Sequence, residues 1–173
     1  MSQLIIICGL PGSGKTTLAQ ALSKELNIAC LHKDVLKESL YMLLNMKSYE
    51  DSQKSSHLSI SLILELAERM VANKIDIMLE APFMVEEDYK KFQAWIDEHK
   101  VNIINIICTI SDEEKMKRFD TRPRHPAHHD HERDMSVYSN EKEVVYEKLP
   151  GKKIKIETNK EVNKLIEEII SQL

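Results

Sequence analysis

A chain of 173 residues can bury one full core and is expected to be a single domain, 1–173. Its hydrophobic fraction of 42% and charged fraction of 30% exclude a disordered or fibrous chain. The net charge of −4 excludes a global pull toward nucleic acid, and no apolar run approaches the roughly 20 residues of a membrane span.

Leu4–Cys8 is apolar at every position and reads as a central strand buried on both faces. The run is too short for a signal peptide and leads straight into a glycine-rich loop, so a cytoplasmic protein is expected. Gly9, Gly12, Gly14, Lys15 and Thr16 complete the pattern G-x-x-x-x-G-K-[ST]. Three of the chain's four glycines lie in this loop, where absent side chains let backbone amides approach phosphate oxygens. Gly9, Pro11, Gly12, Ser13, Gly14, Lys15, Thr16 and Thr17 are therefore the expected ATP cradle. Lys15 would bridge the β- and γ-phosphates and the Thr16 hydroxyl would sit on Mg2+.

A helix is expected over Lys15–Leu26, then a short strand over Ile28–Leu31. Asp34 follows, opening a helix to about Met46 with Leu36, Leu40, Leu43 and Leu44 on its apolar face. An acid there is either a helix N-cap or a general base facing the γ-phosphate, and the base is favoured. The polar stretch Lys47–Ser56 reads as a turn. A long helix runs from about Ser52 to Asn73, with Leu58, Leu62, Leu66 and Met70 expected in the core.

Ile75–Leu79 is the third strand, closed by Glu80, an acidic strand end placed to hold Mg2+ through water or to bind the acceptor. Either Asp34 or Glu80 could be the base. Glu86–His99 is a helix and Val101–Ile110 the fourth strand. Ser111 and Glu114 have capping-box spacing ahead of a helix to about Asp120.

Arg118, Arg122 and Arg124 then lead into a stretch rich in Pro and His. Guanidinium groups there suit the negative charge of a phosphoryl group in transfer, and residues 118–133 read as a lid that excludes water. His125, His128, His129 and His131 are irregularly spaced and suit a pH-sensitive or phosphate-contacting loop better than a metal site. A helix over Asn140–Leu149, a strand over Lys153–Glu157 and a helix over Glu161–Leu173 complete the chain. Cys8, Cys30 and Cys108 sit in or beside apolar runs and are expected to be buried free thiols.

Strands alternating with helices imply a parallel sheet covered on both faces, with ligands at the carboxyl ends of the strands. The segments GLPGSGKTT, LHKD, MLEAPF and RFDTRPRHPAH together resemble small P-loop kinases. The nearest group by this resemblance holds chloramphenicol phosphotransferase, zeta-toxin-type kinases and the kinase domain of polynucleotide kinase, an AAA-type kinase set. The resemblance implies an α/β fold with five parallel strands in the order 2-3-1-4-5. It also implies Asp34 as base, phosphate contacts from Arg118 and Arg122, and adenine near Thr158 and Asn159.

The expected activity is ATP- and Mg2+-dependent phosphoryl transfer to a hydroxyl of a small molecule, by a monomer or homodimer. Arg69 is the only arginine between Asp34 and Glu80, which argues against a phosphorylated acceptor. The rivals are a nucleotide, nucleoside or 5′-hydroxyl polynucleotide kinase, and a nucleotide-binding ATPase switch with no small acceptor. Nucleic acid is not expected, because no cationic track is present.

Overall fold

The computed structural model describes residues 2–121, 125–129 and 145–173. Arg122, Arg124, His131 and the start of the helix expected from Asn140 lie outside the described residues. In chain order the elements are β1 (Gln3–Cys8), α1 (Lys15–Leu26), β2 (Cys30–His32), α2 (Lys33–Leu43), α3 (Tyr49–Ala72) and β3 (Ile77–Glu80). They continue with α4 (Glu86–His99), β4 (Asn102–Thr109), α5 (Asp112–Thr121), a 3-10 turn (Pro126–His128), β5 (Lys152–Glu157) and α6 (Val162–Ile170). Residues 145–148, inside the expected sixth helix, form a further 3-10 turn.

The five strands are parallel in the order β2-β3-β1-β4-β5, as the resemblance implies. The alternation of side chains along a strand sends β1 into two cores. Leu4, Ile6 and Cys8 pack with Ile63, Ala67, Phe92 and Trp95 from α3 and α4. Ile5 and Ile7 pack on the other face with Leu18, Leu22, Leu165 and Ile169 from α1 and α6. Residues 4–8 are all wholly buried, so the uninterrupted apolar run is the signature of a two-sided strand. No described helix is long and apolar enough to cross a membrane.

Two helices bury faces other than those expected. In α3 the leucine row is a correction: Leu58, Leu62 and Leu66 are 38%, 42% and 39% exposed. The buried row is Ser52, Ser55, Ser59, Ile63, Ala67 and Val71, which packs its polar half on α2 and its small and apolar half on the sheet. The helix also starts at Tyr49, inside the stretch expected to be a turn. Ser48 Oγ accepts from the Asp51 amide at 3.1 Å, and Asp51 accepts from the Ser48 amide at 3.1 Å, a full capping box. In α2 the buried residues are Lys33, Lys37 and Tyr41, whereas Leu43 and Leu44 are 78% and 56% exposed. The helix begins at Lys33 with His32 as its cap, so Asp34 lies in the first turn and is not the N-cap.

At Ser111 half of the expected box forms. Its hydroxyl accepts from the Glu114 amide at 3.3 Å, while Glu114 pairs with Arg118 at 3.5 Å.

Candidate active site

The site grows from the turn between β1 and α1. Gly9 has φ 146°, and a Cβ there would lie 2.5 Å from the Cys108 carbonyl oxygen and 2.7 Å from Ser13 Oγ. Gly14 has φ 78° and caps α1 with no side-chain hydrogen bond. The first amides of α1 are thus left for a ligand, and no acidic residue in its first turn opposes an anion. Pro11, Gly12, Lys15 and Thr16 line the hollow. Thr17 is exposed in the first turn of α1.

Register brings the next group to the same edge. Ile7 of β1 and His32 of β2 both pair with Glu80 at the end of β3. The Glu80 carboxylate is buried to 1% exposure; it accepts from Thr16 Oγ1 at 3.3 Å and from His32 Nδ1 at 3.2 Å, and lies 4.0 Å from Lys15 Nζ. Burial, with Glu80 adding to it, pushes the Cys30 thiol up to about 12. A hydroxyl and a carboxylate oxygen this close, beside a phosphate cradle, are a donor set suited to Mg2+, which takes oxygen ligands from one or two side chains and from phosphates. Among the described residues no group of three or more His, Cys, Asp or Glu forms a metal cluster.

Asp34 lies in the first turn of α2 and lines the same hollow. Lys33 Nζ reaches its carboxylate at 3.3 Å. Burial alone would raise the Asp34 carboxyl, but the charges of Lys33, Lys15 and His128 outweigh it and hold it well below the usual carboxylate range. His128 arrives on the 3-10 turn. It donates from Nε2 to Glu38 at 2.8 Å, while the neighbouring Ala127 carbonyl accepts from Ser52 Oγ at 2.6 Å. Lys37, wholly buried, donates to the same Ser52 hydroxyl at 2.9 Å.

On the far side of the loop, Arg118 Nη2 donates to the Thr158 carbonyl at 2.9 Å, and Arg118 Nη1 would lie 3.1 Å from a Cβ at Gly14. Thr158 Oγ1 donates to Ser13 O at 2.6 Å. The structure thus brings Arg118 to the phosphate loop through Thr158. Asn159 is exposed and donates to Glu157 at 2.9 Å. His32 and Lys33 are site residues that reasoning from motifs did not single out. Both directly precede Asp34 within LHKD, which was the available signal.

Beside the loop opens a cavity of about 770 Å3, with Lys15, Asp34 and His128 at one part of its wall and Gln53, His57, Phe83 and Asp88 among the rest. No arginine is among its described lining residues. Arg69 is on the surface, paired with Glu65 at 2.7 Å.

Loop, sheet order and edge define a P-loop nucleoside-triphosphate-binding fold of the kinase type. The chain belongs to the AAA domain family, whose model matches residues 4–147. Among solved structures it is similar to an inferred kinase from Chloroflexus aurantiacus, with 26% identity, a TM-score of 0.81 and coverage of 99% of this chain and 98% of that one. A sugar kinase from Janibacter sp. HTCC2649 shares 15% identity at a TM-score of 0.60, covering 99% and 94%. Shikimate kinase from Aquifex aeolicus shares 17% at 0.59, covering 98% and 95%. No curated protein sequence matches the chain.

Proposed function

We propose that the protein is an ATP-dependent kinase that transfers the γ-phosphoryl group to a hydroxyl of a small, unphosphorylated molecule. The observation that carries this is the cavity beside the phosphate loop, with Asp34 in its wall and no arginine among its described lining. An ATPase switch with no small acceptor has no use for such a chamber. An acceptor phosphate would call for bidentate guanidinium contacts, which the described lining lacks. Sugar and shikimate kinases share the architecture over nearly the whole chain, and sugars offer only hydroxyls. Within the fold, the same features favour kinship with the chloramphenicol phosphotransferase and zeta-toxin group.

The acceptor oxygen attacks the γ-phosphorus, the bond to the β,γ-bridging oxygen breaks, and its electron pair stays on ADP. The acceptor proton passes to an Asp34 oxygen. A carboxylate held at low pKa is a weak base, which suits a loose transition state where the hydroxyl loses its proton late. Lys15, the loop amides and Arg118 hold the phosphates, with Arg122 as a further donor. Mg2+ between Thr16 and Glu80 would neutralise phosphate charge. Residues 118–133 act as the lid of a single domain, 1–173. The three free thiols suit a reducing compartment such as the cytoplasm.

The test is ADP release with sugars and sugar acids, hydroxylated antibiotics, nucleosides, nucleoside monophosphates and 5′-hydroxyl oligonucleotides. Stimulation by an unphosphorylated hydroxyl compound is expected. Asp34→Asn should lower it about 10²–10⁴-fold with ATP binding retained. Stimulation only by monophosphates or oligonucleotides would overturn the acceptor class. ATP binding with no stimulation by any compound would favour the switch.

A further inference from the structure

Two carboxylates in the cavity lining, Glu87 and Asp88, are left over by the transfer chemistry; Glu87 is exposed and Asp88 is not. Asp88 stands in the first turn of α4 and lines the chamber, yet it is only 6% exposed. Among the described residues it makes no hydrogen bond and no ion pair. Lys91, the cation whose charge acts on Asp88, pairs with Glu68 at 3.2 Å. A first-turn acid ordinarily serves the helix dipole, and it does so from the surface. Glu86 fills that place here, exposed and 3.1 Å from Lys90. Nothing in dipole compensation requires Asp88 to be buried. An unpaired carboxylate out of water costs stability unless a ligand compensates it.

We propose that the acceptor carries a protonated amine, and that Asp88 receives it at the α4 end of the cavity while the acceptor hydroxyl meets Asp34. The proposal names the acceptor class for the kinase reading and rests on it. Ile60, Leu64 and Phe83 also line the chamber, so the acceptor has an apolar face as well. The cavity volume, about 770 Å3, is within the roughly 300–1,000 Å3 of pockets for drug-sized ligands. Amino sugars and aromatic amino alcohols fit this description, whereas sugar acids do not. Burial, reinforced by Glu87 and opposed by Lys91, pushes Asp88 up to about 6. The other titratable side chains lining the cavity are Lys15, Lys33, Asp34, Tyr49, His57, Glu87 and His128. The amine site therefore forms as pH rises through about 6.

The probes are benzylamine, benzyl alcohol and benzoate, which share a ring and differ in charge. Each is titrated calorimetrically into the full chain held with ADP and Mg2+. Benzylamine should bind in the millimolar range expected of so few atoms. Binding should be about tenfold tighter at pH 8 than at pH 5, and about tenfold weaker in Asp88→Asn. Asp34→Asn should leave it within about twofold. The proposal falls if benzylamine does not bind, if benzyl alcohol or benzoate binds as tightly, or if Asp34→Asn rather than Asp88→Asn abolishes binding. ADP release with glucosamine against glucose separates the two readings. Benzylamine bound through Asp88 with no phosphoryl transfer to any acceptor leaves the cation site standing and sinks the kinase. Transfer to glucose and glucosamine alike, indifferent to Asp88→Asn, sinks the cation site and leaves the kinase.

Discussion

Glu80 gives the sharpest test of the nucleotide side, because its contacts predict opposite responses to ATP and to Mg2+. Its carboxylate accepts from Thr16 and His32 and lies 4.0 Å from Lys15. Glu80→Gln keeps the volume and removes the charge. One charge-assisted contact is lost from a wholly buried position, which costs about 2 kcal/mol in the free protein. For a chain of this size that lowers Tm by roughly 4–8 °C. With ATP and EDTA the order changes. In the parent, the carboxylate faces incoming phosphate and opposes it; in the variant that repulsion is gone. A tenfold gain in affinity adds about 1.4 kcal/mol, or roughly 3–6 °C, to the shift caused by saturating ATP. Adding Mg2+ should then stabilise the parent further and the variant much less. Thermal unfolding in the three conditions reads all of this. Equal Mg2+ increments in parent and variant would remove Glu80 from the metal. An ATP–EDTA shift no larger in the variant would show that Glu80 does not face the phosphates.

The remaining expectations concern other parts of the molecule. Thr158→Val removes the donor to Ser13 O and leaves that carbonyl short of a partner, so about 1–3 kcal/mol of stability should go. ATP affinity, read by calorimetry, should fall with it because the Arg118 clasp loosens. Cys30, pushed up to about 12, is roughly one part in ten thousand thiolate at pH 8, and Cys8 and Cys108 are buried. Iodoacetamide should therefore leave all three unlabelled in the folded protein and label them in guanidinium. Leu62→Gln on the exposed row of α3 should change stability by no more than about 0.5 kcal/mol, whereas Ile63→Ala should cost about 2–5, both by urea unfolding. Asp88 binds its proton more tightly folded than unfolded, so its contribution to stability is present below about pH 4 and is lost as pH rises to about 6. Asp88→Asn should flatten that slope and be more stable than the parent at pH 8 by about 1–2 kcal/mol after screening.

The elements legible in the sequence are those whose burial is apolar. β1 and β4 lie between two layers of helix, so they appear as unbroken hydrophobic runs, and α1 and α4 begin and end where their composition says. The phosphate loop is legible because few residues but glycine can stand at Gly9 and Gly14. Reasoning from periodicity errs in α2 and α3 for a single cause. Their buried sides are polar: Lys33, Lys37 and Tyr41 on one, and Ser52, Ser55 and Ser59 on the other, with Lys37 donating to Ser52 across the seam. A hydrophobic pattern cannot find a face that is buried through polar contact, so Leu43, Leu44, Leu58, Leu62 and Leu66 drew the assignment outward, while Leu36 and Met70 do pack on the core. Asp88 was hidden in the same way, as an ordinary acid at a helix start.

That polar seam has a functional logic. Lys37 donates to Ser52, Ser52 donates to Ala127 O, and His128 donates to Glu38, so both strands of contact end on the same 3-10 turn. An apolar seam could hold two helices together, but it could not hold a turn made of backbone and imidazole in one orientation. The orientation matters because the His128 charge is one of three that keep Asp34 ionised. At the other end of the same arginine- and histidine-rich stretch, Arg118 is held by Thr158, which is held by the phosphate loop. One segment of chain therefore begins at the nucleotide cradle and reaches the wall of the acceptor cavity. Its two ends are anchored by separate sets of hydrogen bonds. On the kinase reading, the polar residues inside α2 and α3 would register the acceptor side of the site to the nucleotide side, which packing alone would not do.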